Sequence, residues 1–129
     1  MKFTSSIEVR YAETDQMRIV YYANYLVWFE VGRREVLKAC DLSYAEMEKK
    51  GIFLPVKEAY VNYIKPARYE DKLDVEAEIT EINRAKIKII YQIKREDELL
   101  ATGFTFHLFI NEQGRAVRAP MELVKKLGG

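Results

Sequence analysis

Between Val56 and Ile110 the chain keeps a hydrophobic period of two, with no connection long enough to hold a crossover helix. Leu73, Val75, Ala77 and Ile79 alternate with Asp74, Glu76, Glu78 and Thr80; Ile87, Ile89, Tyr91 and Ile93 repeat the pattern against Lys88 and Gln92. Tyr60, Val61 and Tyr63 mark an earlier strand over 56–64. A last one runs from Leu100 to Ile110 and stops at the turn residues Asn111 to Gly114. Arg95 to Glu98 is short enough only for an antiparallel hairpin. Such a chain must fold around an antiparallel sheet.

Upstream the period changes. Tyr25, Phe29, Gly32, Val36 and Cys40 recur at steps of three and four, widened by Leu26 and Leu37, so residues 23–40 read as one helix of about five turns. Gly32 lowers helix propensity at its centre, and a close approach to a sheet explains its use there. Ser43 caps a short helix that runs to about Lys50 and ends at Gly51. Pro120 starts another over 121–127. Ile7, Val9 and Tyr11, alternating with Glu8 and Arg10, predict a first strand. The order is strand, long helix, then four strands, with no repeat or linker. The economical packing is an α+β fold: a single domain over 1–129, its curved antiparallel sheet wrapped on the long helix. The open sheet edge leads us to expect edge-to-edge dimerisation.

Bulk properties narrow the function by exclusion. Twenty-one Lys and Arg nearly cancel twenty Asp and Glu, so no net charge recruits nucleic acid or an anionic membrane. No apolar run approaches a membrane span, and the N-terminal residues lack the apolar core of a signal peptide. One cysteine rules out an internal disulfide framework and fits a cytoplasmic location. Phosphate-loop, dinucleotide and C-x-x-C motifs are absent. His107 is the only histidine, so a multi-histidine metal site cannot form within one chain. It falls among Phe104, Phe106 and Phe109 and reads as structural; Cys40, on the apolar helix face, reads as a small core residue. The remaining chemistry belongs to carboxylates, hydroxyls and backbone dipoles.

Asp15 is the carboxylate of interest. It lies between the first strand and the long helix, followed by Ile19-Val20-Tyr21-Tyr22, a run too apolar for an exposed loop. A carboxylate beside such a surface can have a raised pKa and act as base or nucleophile. The helix that follows offers unpaired N–H groups and a positive dipole end, which stabilise an oxyanion. An Asp at this point also suits a plain cap or loop position, and the pattern leaves both readings open.

The stretch V-R-Y-A-E-T-D-Q-M-R-I-V-Y-Y-A-N-Y-L-V-W-F-E-V-G-R, Val9 to Arg33, closely resembles the signature of hotdog-fold thioesterases of the 4-hydroxybenzoyl-CoA thioesterase and YbgC-like family. V-N-Y-I-K-P-A-R-Y-E-D-K-L-D-V, Val61 to Val75, resembles the family's second stretch, and T-G-F-T-F-H-L-F-I with the closing R-A-P resembles its last strand and tail. The resemblance implies a hotdog fold and an acyl-CoA thioesterase that needs no metal or redox cofactor, coenzyme A being part of the substrate. It makes Asp15 the catalytic carboxylate, as nucleophile or as general base, and gives the backbone N–H of Tyr22 the task of polarising the thioester carbonyl. Asn24 and Tyr25 close the motif as helix-start and pocket architecture. The family also implies a homo-oligomer, a dimer or a dimer-of-dimers tetramer, with sites at the subunit interface. Two positions depart from the pattern. Arg18 stands where Gly is common, so a positive φ there costs strain or the loop is built differently; its guanidinium can also reach a CoA phosphate. Tyr22 stands where many YbgC-like members have His, which preserves a backbone role and removes an imidazole one. Lys65, Arg68 and Arg84 are further cations for the phosphates. Met17, Tyr21, Tyr22, Phe53 and Val56 supply apolar or aromatic walls for the acyl group. A hotdog dehydratase, which pairs His with an acid, is disfavoured with only His107 present. A non-catalytic binder of acyl-CoA or acyl carrier protein is the other alternative; it would have no use for Asp15.

Overall fold

The computed structural model describes residues 1–128. Strand β1 is Lys2–Glu8, followed by a 3-10 turn at Tyr11–Glu13 and the long helix α1, Asn24–Ala39. Helix α2 is Tyr44–Lys49, β2 Val56–Tyr63, β3 Lys72–Ile82, β4 Lys86–Arg95, β5 Glu98–Leu108 and α3 Met121–Lys126. The five strands form one antiparallel sheet in the order β1-β3-β4-β5-β2. The alternation in β3 and β4 fixes the register: Val75 faces Ile93, Ala77 faces Tyr91 and Ile79 faces Ile89, all buried against α1. Glu96 takes φ 56° in the hairpin between β4 and β5. No helix among the described residues is long and apolar enough to cross a membrane.

Helix α1 lies in the curve of the sheet because two glycines remove the atoms that would hold it off. A Cβ on Gly32 would sit 3.0 Å from Val75 Cγ1 and 3.3 Å from Ala77 Cβ, which is the close approach its position in the sequence predicts. Gly103, on β5, opens the sheet for the Phe29 ring; a Cβ there would lie 2.6 Å from Phe29 Cε2 and 2.1 Å from the Tyr60 carbonyl oxygen. Phe29 then stacks flat on Tyr91, with centroids 4.3 Å apart.

Two expectations shift. The first strand ends at Glu8, and Tyr11 is 76% exposed. Val9 instead pairs its N–H with Asp71 O at 2.9 Å, and the chain then folds into the 3-10 turn. Leu26 is 41% exposed while Trp28 and Arg33 turn inward. The reason is that polar partners wait inside for the indole N–H and the guanidinium, so the buried stripe swings past Leu26.

Candidate active site

The segment from Glu13 to Asn24 is a small closed loop held by its own backbone. Thr14 and Val20 form an antiparallel bridge; Asp15 N–H donates to Ile19 O and Arg18 N–H to Asp15 O, both at 2.9 Å. Glu13 buckles the two ends together. Its carboxylate is buried and accepts from Trp28 Nε1 at 2.9 Å and from Arg10 N–H at 2.8 Å. Its carbonyl accepts from Tyr21 N–H at 2.8 Å and from the Asn24 amide at 2.9 Å. The Pro66-Ala67 segment supports the loop from below: Val20 N–H donates to Ala67 O, and the buried Ala67 donates its own N–H to the Tyr25 phenol oxygen. Glu13, Trp28 and Ala67 were not foreseen as part of this site. The signal was a charge next to Thr14-Asp15 with an indole fifteen residues on, which only the fold turns into a contact.

Asp15 stands half-buried at the base of this loop. Its Oδ1 accepts from Met17 N–H at 2.8 Å, the geometry of an Asx turn, and Oδ2 has no hydrogen-bond partner among the described residues. Arg18 takes φ 65°, so the arginine adopts the left-handed turn that glycine would take more easily. A cavity of about 540 Å³ opens here, lined by Tyr11, Thr14, Asp15, Gln16, Arg18 and Tyr69.

A second concavity of about 290 Å³ shares the loop as a wall. Ile19, Val20, Tyr22, Tyr25, Tyr63, Ile64, Lys65 and Pro66 line it, mostly with apolar surface. Helix α1 begins beside it with Ala23 as N-cap and no side-chain cap. Among the described residues the Tyr22 N–H donates to nothing, while its carbonyl accepts from the Tyr63 hydroxyl at 2.9 Å. The Tyr21 phenol is pushed above its ordinary pKa, chiefly by the Tyr22 phenol beside it, whose ring centroid lies 4.7 Å from its own.

The other expected residues divide. Asn24 is committed to the Glu13 carbonyl, and Tyr25 is buried, with its phenol oxygen accepting from Ala67 N–H, while its ring also lines the apolar groove. Met17 is 72% exposed at the loop tip, and Tyr21 and Tyr22 are also exposed; of the apolar run Val20 is buried and Ile19 half-buried. The run looked too apolar for an exposed loop, yet the backbone bonds of the loop, rather than burial, hold it. Lys65 is paired with Glu98 at 2.7 Å. Neither Arg18 nor Arg68 is ion-paired among the described residues. Arg84 donates through Nε to Ala119 O at 2.8 Å, past the end of β3 remote from Lys72. Within one chain it is roughly 33 Å along the strand from the Asp15 end of the sheet. Val56 begins β2, roughly 23 Å from Tyr63, beside a recess of about 270 Å³ lined by Arg33, Tyr44, Phe53 and Leu54. A single chain therefore does not bring Val56, Phe53 or Arg84 to Asp15: Val56 starts β2 and Phe53 precedes it, and Arg84 lies in the turn after β3, all at the far end of the sheet.

His107 is fully buried and sits in a polar chain across the core. Arg33 Nη1 donates to its Nδ1 at 2.9 Å, and its Nε2 meets Thr105 Oγ1 at 2.7 Å, which in turn is 2.6 Å from the Tyr91 hydroxyl. Burial, then the neighbouring Arg33 charge, lowers its pKa to about 4. A neutral imidazole with both nitrogens engaged holds helix to sheet and is not free for catalysis.

Known proteins share this arrangement. The thioesterase-like superfamily pattern matches residues 9–127. The provisionally named acyl-CoA thioesterase YneP of Bacillus subtilis is 43% identical over 108 residues, which is 83% of this chain and 78% of that protein. Acyl-CoA thioesterase YbgC of Haemophilus influenzae is 30% identical over 100 residues, covering 77% and 74% of the two chains. The structure of a 4-hydroxybenzoyl-CoA thioesterase superposes with a TM-score of 0.89 over 98% of this chain and 99% of that one; at 20% identity it speaks for the fold. A helix cradled in a five-stranded antiparallel sheet, joined through the T-D loop, is thus a hotdog fold, and the chain belongs to the thioesterase-like superfamily as an enzyme of thioester hydrolysis.

Proposed function

We propose that the protein is an acyl-CoA thioesterase in which Asp15 is the reacting carboxylate and the N-terminus of α1 receives the oxyanion. One observation carries this reading: Asp15 is held by a single oxygen, through Met17 N–H, beside a helix start whose Tyr22 N–H is unpaired among the described residues. As a nucleophile, the free Oδ2 adds to the thioester carbon, the C–S bond breaks, CoA leaves as a thiolate that takes a proton, and water hydrolyses the resulting anhydride. As a base, the same oxygen takes a proton from water while that water adds to the carbon; the tetrahedral intermediate then collapses, the C–S bond breaks, and the leaving thiolate takes the proton back. In both routes the negative charge on the carbonyl oxygen develops toward backbone N–H donors and the positive end of the helix. The apolar groove of Ile19, Val20, Tyr22, Tyr25, Tyr63 and Pro66 suits the acyl group, and Arg18 and Arg68 are cations for the CoA phosphates. These steps draw on the carboxylate, water and peptide groups and call for no further cofactor.

The acting unit in this reading is a homo-oligomer. β2 is an edge strand whose Val56, Tyr60 and Tyr63 are each about half exposed, and antiparallel pairing of that edge with a second copy brings the Val56 end of one chain to the Tyr63 end of the other. Asp15→Asn tests the chemistry: acyl-CoA hydrolysis is expected to fall by at least about a thousand-fold, with the urea unfolding midpoint unchanged. Turnover near the wild-type rate in that variant would sink the assignment. A panel of short, long and aromatic acyl-CoA esters then assigns the acyl preference.

A further inference from the structure

Two exposed tyrosines line the Asp15 cavity, and neither hydroxyl has a hydrogen-bond partner among the described residues. Tyr11 and Tyr69 are 76% and 51% exposed, yet they meet edge to face with centroids 5.6 Å apart and planes at 79°. The backbone beneath them is fixed. Tyr11 O accepts from both the N–H and the hydroxyl of Thr14, and Tyr69 lies in a turn closed by Asp71 N–H to Arg68 O and by Arg68 N–H to the Asp71 carboxylate. Val9 ties the two turns together through Asp71 and Glu70. A right-angle pair on such a base lines the cavity with aromatic surface and two hydroxyls that have no hydrogen-bond partner among the described residues.

The cavity is also larger and more polar than a reacting thioester requires. At about 540 Å³ it is of a size that holds a small-molecule fragment, and it combines the Asp15 carboxylate, the Gln16 amide, the Arg18 guanidinium and the two phenols. The groove on the other side of the loop is apolar. An acyl-CoA ester has the same asymmetry about its carbonyl: a hydrocarbon on one side, and on the other a pantetheine arm of two amides, a hydroxyl and a gem-dimethyl group, ending in phosphates.

We infer that Tyr11 and Tyr69 hold the outer part of the substrate's pantetheine arm, beyond the amide nearest sulfur that N-acetylcysteamine retains: their rings pack against the second amide and the gem-dimethyl group and their hydroxyls meet that amide, with Arg18 beyond them for the phosphates. The acyl group then points the opposite way, into the apolar groove. This placement rests on the acyl-CoA reading and goes further by assigning the two sides of the loop to the two halves of the substrate.

A ladder of thioesters with one acyl group tests it: the CoA, pantetheine and N-acetylcysteamine esters. In the wild type the KM of the pantetheine ester is expected to lie roughly ten-fold below that of the N-acetylcysteamine ester; equal KM values overturn the inference without any mutant. In Tyr11→Ala and Tyr69→Ala that ratio is expected to fall toward one, while Tyr11→Phe and Tyr69→Phe keep most of it through their ring faces. A uniform rise in KM across all three esters would assign the rings to the loop or the acyl group, and a loss confined to the CoA ester would assign them to the nucleotide; either result overturns the placement. Turnover of the esters that disappears in Asp15→Asn tests the underlying function separately. If the wild type hydrolyses none of them, the function itself is wrong and this inference falls with it.

Discussion

Glu13 holds the T-D loop closed from inside the fold. Its carboxylate joins Trp28 in α1 to Arg10, while its carbonyl gathers Tyr21 and Asn24 at the far end of the loop. Glu13→Ala leaves a buried indole N–H and a peptide N–H without partners and is expected to cost about 2–4 kcal/mol of stability, read from urea denaturation. Glu13→Gln can still accept one of those bonds and should lose less. Arg18 presents a second balance. Its φ of 65° costs a side-chain-bearing residue about 1–2 kcal/mol, whereas glycine there carries a smaller entropic penalty. Arg18→Gly should therefore unfold at an equal or higher denaturant concentration. Arg18→Glu should raise KM for CoA esters more than for N-acetylcysteamine esters, and equal effects on both would remove it from phosphate binding. At this scale the T-D pair and its neighbours were legible in the sequence, because the chemistry of a carboxylate before a helix is local. Glu13 was not, since its partner Trp28 comes near only when α1 is seated on the sheet.

Among the elements, the contact of α1 with the sheet decides where its N-terminus points. Gly32→Ala gains up to about 1 kcal/mol of helix propensity but presses a methyl against the β-branched, fully buried Val75, an overpacking cost of about 1–3 kcal/mol. Net destabilisation is expected. Gly103→Ala should be worse, because the atom in the way at 2.1 Å is the Tyr60 backbone oxygen and β2 itself must move; thermal unfolding of the two variants gives the order. The Arg33–His107 link joins the same two elements and makes their union pH-dependent. His107 has a folded pKa of about 4, below its ordinary 6.5, so between those values the unfolded chain takes up a proton that the folded one refuses. Stability is therefore full above pH 6.5 and declines as pH falls toward 4, by up to about 1.4 kcal/mol per unit and of order 3 kcal/mol in all. The unfolding free energy of His107→Gln should lack this slope, and parallel wild-type and variant pH profiles would refute it.

For the whole molecule, the open edge at β2 is the feature that a single chain leaves unfinished. Light scattering is expected to return a multiple of the chain mass, and specific activity should fall on dilution below the dissociation range if the site is completed by a second copy. A monomer with undiminished activity would exclude a shared site. Val56 and Arg84 illustrate what a sequence cannot place: both have suitable side chains, yet the strands carry them to the end of the sheet away from Asp15, Arg84 into a bond with the Ala119 carbonyl. The sequence by itself determined the antiparallel sheet, the long helix, the need for Gly32 and the position of the T-D loop between the first strand and that helix, because periodicity, backbone conformation and motif spacing are short-range properties. The tertiary structure alone decided which side chains share a cavity, which cations are already paired, and that the only histidine is locked between Arg33 and Thr105. Those outcomes depend on contacts between residues tens of positions apart, and these form only once the helix and sheet have chosen the faces they bury.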